Sequence, residues 1–76
     1  SLAAGIASFT GASNTASIVF TTPFTVPTYR ISWCSSVDTN TGEPMSISYA
    51  NKTTSGFDLV AKDAAYVGTV DWEAKL

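Results

Sequence analysis

Apolar and polar residues alternate in short runs along most of the chain, and no run keeps helical spacing for three turns. Turn-forming residues interrupt the pattern every several positions. Ala4 to Thr10 predicts a short, weak strand, followed by a turn at Gly11-Ala12-Ser13-Asn14. Ala16 to Thr21 predicts a second strand, ended by Thr22 and Pro23. Phe24-Thr25-Val26-Pro27 is held between two prolines, which cannot donate to a sheet ladder, so this segment belongs at a corner or an edge. Tyr29 to Ser35 alternates cleanly, with Tyr29, Ile31 and Trp33 on one face and Arg30, Ser32 and Cys34 on the other. The segment from Val37 to Pro44 is a polar loop.

Met45 to Tyr49 alternates again, placing Met45, Ile47 and Tyr49 on one side, and Asn51 to Gly56 reads as the next turn. Phe57, Leu59 and Ala61 share a face of the following strand. After a turn at Lys62-Asp63-Ala64-Ala65, the segment from Tyr66 to Leu76 carries Val70, Trp72 and Ala74 on one face. The pattern predicts an all-β fold, a small antiparallel β-sandwich of about six strands. Residues 1–76 form one domain in this reading, with 1–15 as a weaker amino-terminal strand or linker. Phe20, Phe24, Trp33, Tyr49, Phe57 and Trp72 are the expected aromatic core. Tyr66, at a loop end beside Lys62 and Asp63, is the aromatic expected at the surface.

Composition raises the question of what stabilises so short a chain. At 76 residues it buries only about 60% of the surface its unfolded form exposes. Chains of this size draw extra stability from disulfides, a metal or a partner. Cys34 is the only cysteine and there is no histidine, so an internal disulfide is excluded and a structural zinc site is not expected. Oligomerisation remains. Charged residues make up only 13% of the chain, which suits both β-structure and a surface buried against other chains.

The charge balance is four basic against six acidic residues, without the basic footprint of a nucleic-acid binder. No apolar run has the length of a membrane span, and the start lacks the pattern of a secretion signal, so membrane insertion is not expected. A chain that starts at Ser1 reads as a piece of a longer polypeptide.

Candidate chemistry is sparse. Without histidine, most triads and acid–base pairs are excluded, and no enzymatic activity is expected. Arg30 is the only charged residue on the predicted face of Cys34, which reads as a half-buried, inert strand cysteine. Asp71 and Glu73 lie two apart on one strand, a spacing that a glycosidase pair and a solvent-facing strand share, and the solvent face is the stronger reading. Asp38-Thr39-Asn40-Thr41-Gly42 begins like a calcium loop, yet Tyr49 stands at the twelfth position, where a bidentate glutamate belongs. A polar turn is the default, with a looser calcium or sugar contact through Asp38, Asn40 and Glu43 as the alternative. Asn51-Lys52-Thr53 matches the glycosylation sequon, a motif frequent by chance.

Three pieces in order carry a resemblance: Ile18-x-Phe20-x-x-Pro23-Phe24-x-x-Pro27, then Thr54-Ser55-Gly56-Phe57, then Val70-Asp71-Trp72-x-Ala74. Over residues 16–76 the chain resembles the small carboxy-terminal β-domains of bacteriophage tail fibres and tailspikes. It is also similar to the H-type lectins, six-stranded antiparallel sandwiches that assemble as trimers. In this pattern Pro23-Phe24 and Pro27 turn a corner, Gly56 supplies a positive φ before Phe57, and Trp72 fills the sandwich centre. The resemblance implies a homotrimer on a phage virion, at the carboxy-terminal end of the parent chain, that can bind a host cell-surface glycan. No cofactor or metal is implied. Ligands would lie in clefts at the rim, where subunits meet. The loop that supplies an aromatic residue to the sugar in the lectins is here Lys62 to Tyr66, with alanine at the corresponding position and Tyr66 as the nearest substitute. Asp38, Asn40 and Glu43 from the facing loop, with Lys62, Asp63 and Tyr66, are the candidate ligand residues. Two alternatives stand beside this one. The domain is a lectin-like module whose main role is sugar recognition, or it is the non-catalytic end of a polysaccharide depolymerase.

Overall fold

A computed structural model describes all of residues 1–76 and contains six strands and no helix. They are β1 (Leu2–Thr10), β2 (Thr15–Val19), β3 (Arg30–Ser35), β4 (Ile47–Thr53), β5 (Gly56–Ala61) and β6 (Val67–Lys75). They form two antiparallel three-stranded sheets, ordered β1-β6-β3 and β2-β5-β4. The all-β, six-stranded antiparallel architecture expected from the alternation is the one observed. The amino-terminal segment is stronger than its sequence promised. β1 runs nine residues in unbroken register with β6, from Leu2 opposite Lys75 to Thr10 opposite Val67.

Alternation decides which side chains enter the sandwich. Ala7, Phe9, Leu59, Ala61, Val70 and Ala74 point inward and are buried, while Asp71 and Glu73 face solvent from the opposite side of β6. Phe20, Phe24, Tyr29 and Phe57 form an aromatic cluster with centroids 4.7–6.4 Å apart, and the half-buried Trp72 packs edge-on against Phe57. The proline-bounded bend feeds this cluster. Phe20 N donates to Ser55 O at 2.9 Å and Phe24 N to Thr54 O at 3.0 Å, fastening the bend to the β4–β5 turn.

Several local expectations change. Trp72 is half buried and reaches the surface rather than filling the sandwich centre, and of the expected Asn51–Gly56 turn only Thr54 and Ser55 lie between strands, since β4 runs through Thr53 and β5 starts at Gly56. Tyr49 is exposed rather than in the core, because it lies on an edge strand of its sheet. Trp33 is only half buried for the same reason. Cys34 is exposed, since its face of β3 is the outer one. Gly56 has no positive φ. Its need for glycine comes from close approach, because a Cβ there would overlap the carbonyl oxygen of Ile18 on β2. The positive φ in this region belongs to Asn51 (54°), at the register irregularity between Ala50 and Thr53 in β4.

Candidate functional site

The two loops that hold the candidate ligand residues do meet at one end of the sandwich. Their pairing is a continuation of the sheet: beyond β3, Ser36 N donates to Thr69 O at 2.9 Å and Thr39 N to Val67 O at 2.8 Å. Asp38 is only 5% exposed and spends its polar groups on its own loop. Its Oδ1 accepts from Asn40 N at 2.9 Å, its N donates to Glu43 O at 2.9 Å, and its O accepts from Gly42 N at 2.7 Å. Such a carboxylate shapes a turn and is a poor ligand group.

Tyr66 is fully buried, not exposed. Its ring packs on Phe9 with centroids 5.2 Å apart, and its hydroxyl donates to Ser36 O at 2.8 Å. A Cβ on Gly68 would lie 2.5 Å from that hydroxyl, so this position must be bare for the tyrosine to reach the loop. Tyr66 therefore clasps the loop onto β6 and offers no ring to a sugar. The sequence placed it at the surface because its neighbours Lys62, Asp63, Ala64 and Ala65 are exposed, as they are in the structure. Asn40 and Glu43 are exposed as well. None of these six residues lines a surface depression. This end of the molecule is a closed polar cap.

Two other surfaces stand out, on opposite lateral sides. The first is the β1/β2 side. Neither strand carries a charged residue. Leu2 and Ile6, two of the outward residues of β1, are 63% and 68% exposed, and Val19 at the end of β2 is 80% exposed. Between Leu2 and Val19 a depression of about 250 Å³ is lined also by Ala4, Phe20 and Trp72, among others. β1 is an edge strand with no proline, no bulge and no charge over nine residues. Edges are normally protected by at least one of these devices. The other long edge is protected: β4 carries Lys52 and its irregularity, while β3 carries Arg30.

The second is the β3/β4 side, formed by the other edge strand of each sheet. Tyr49, 49% exposed, meets Trp33 edge-on across the two strands, with centroids 6.3 Å apart. Lys52 Nζ lies 4.7 Å from the ring centroid of Tyr29 and 6.0 Å from that of Tyr49. Of the nine aromatic residues, Tyr49 alone is exposed. Its alternation with Met45 and Ile47 read as core in the sequence, and the missing signal was that β4 is an edge strand. No protein-family model matches the chain, and a search of curated proteins finds no match.

Proposed function

We propose that this chain is a non-catalytic assembly domain of the phage tail-fibre or tailspike type, a homotrimer that presents a glycan-contacting surface at the virion exterior. The observation that carries the assembly part is the pair of strands β1 and β2, neither with a charged residue, with Leu2, Ile6 and Val19 in solvent. Apolar patches of this kind on a small domain mark a surface that works covered. One lateral side of a molecule 40 × 17 × 17 Å in extent is comparable with the ~800 Å² per partner of a standard interface. Three copies packed with these sides inward would bury the bare edge of β1 and leave the β3/β4 sides facing out. The low charge and the absence of a disulfide support the same reading, because a chain this short draws further stability from its partners.

The test is a charge placed in the middle of the stripe. Ile6→Lys should shift the sedimentation coefficient from trimer to monomer, with the β-sheet signal in circular dichroism retained because Ile6 is exposed within one chain. An assembled Ile6→Lys protein, with a mass unchanged on dilution, would remove β1 from the interface.

A further inference from the structure

We propose that Tyr49, with Trp33 beside it and Lys52 above it, forms a shallow platform for an acidic saccharide on the β3/β4 side. This deepens the glycan-contacting part of the function proposed above, and rests on it, by naming the ligand class and the residues. The end loops are ruled out as the aromatic platform, since Tyr66 is buried and clasped to Ser36.

Tyr49 presents about half of its surface to solvent, on the side of β4 shared with the buried Leu59, its cross-strand partner. A tyrosine ring has an electron-rich apolar face and a polar tip. A pyranose has the complementary layout, with C–H bonds on one face and hydroxyls around the rim. Trp33, edge-on at 6.3 Å, holds the tyrosine ring from one side. Lys52 holds a cation 6.0 Å from the same ring, where its three donors can meet a sugar carboxylate or hydroxyls. Its charge is met by ring faces rather than by a carboxylate of the chain. An acidic group is therefore the natural complement.

The dimensions favour a small repeating ligand over a protein. A protein partner needs ~800 Å² with a desolvated centre, whereas here a single ring and a single amine are on offer. An open platform of this kind binds one sugar weakly. Three copies on one trimer facing one polysaccharide would raise the apparent affinity by roughly 10²–10⁴ through linkage.

Trp33 supplies the readout. Titrating the protein with polygalacturonate, an acidic polysaccharide, should quench or shift its tryptophan fluorescence, and a Trp33→Phe variant should lose that response while Trp72 still emits. Dextran, which is neutral, should bind at least about tenfold more weakly, as should the Tyr49→Ala variant with polygalacturonate, whereas Tyr49→Phe should bind normally. Raising the salt concentration should weaken the acidic ligand. Lys75→Gln, a cation removed elsewhere, should change nothing, because the chain's net charge of −2 gives no general attraction for polyanions. Equal binding of dextran would overturn the acidic class. A response that survives Tyr49→Ala, or that Lys75→Gln abolishes, would overturn the site. Light scattering on the same samples reports trimer formation independently, so failure of the platform and failure of the assembly are distinguishable. Loss of response in protein shown to be trimeric counts against the platform alone.

Discussion

Tyr29 and Tyr66 do the same work at opposite ends of the sandwich. Each is fully buried, and each spends its hydroxyl on main-chain carbonyls of a neighbouring loop. The proton of Tyr29 is shared between Thr53 O at 2.7 Å and Gly56 O at 2.9 Å, which fixes the β4–β5 turn against the start of β3. Replacing Tyr66 by Phe would leave Ser36 O without its buried donor and should lower stability by about 1 kcal/mol, read as a denaturation midpoint. The same variant should leave saccharide binding untouched, which separates a clasp from a ligand residue. Tyr29 also sets an alkaline limit. Burial raises its pKa above the ordinary tyrosine value, so the folded state holds its proton more tightly than the unfolded one. The stability this gives is complete below the ordinary tyrosine pKa and is lost as pH rises through the raised one. Tyrosinate absorbance against pH should therefore show a late step from Tyr29 that coincides with unfolding. A tyrosine step of that kind completed with the sheet signal intact would contradict the clasp.

At the scale of the element, the strands differ in how openly their sequences declare them. β3, β5 and β6 alternate large apolar with polar residues, and this made both their existence and their faces legible. β1 is harder, because Ala3, Gly5 and Ala7 carry little apolar weight and its order comes from nine residues of pairing with β6, a long-range fact. Tyr49 was misplaced for a related reason. Period two gives the face of a residue, and only strand order tells whether that face is covered. Gly56 shows the limit at a single position: a glycine before Phe57 looks like a turn residue, while its cause is the Ile18 carbonyl on β2. Gly56→Ala should force β2 and β5 apart and cost about 3 kcal/mol, the upper end of ordinary overpacking. A midpoint within error of the parent would mean that β2 yields without loss. The candidate site was less legible than the fold. The polar loops drew attention because they are rich in hydrogen-bonding groups, and in the folded chain Asp38 and Tyr66 use those groups internally.

Taken whole, the molecule is two-sided. On its β1/β2 side the two strands carry no charged residue and three large apolar residues stand in solvent, and its β3/β4 side has Arg30, Lys52 and an exposed aromatic ring. The two ends are closed by tyrosine clasps. This division fits a subunit that turns one side to its copies and the other outward. The proposed assembly would cover the apolar side. The platform proposed at Tyr49 depends on the same geometry, because it is useful only where the outward side stays free. The most direct measurement is the mass of the unmodified chain by light scattering across a dilution series. A constant value of three times the 8.0 kDa of one chain is the expected result. A stable monomer at every concentration, with a full unfolding transition, would contradict assembly through the β1/β2 side and leave Leu2, Ile6 and Val19 exposed without cause.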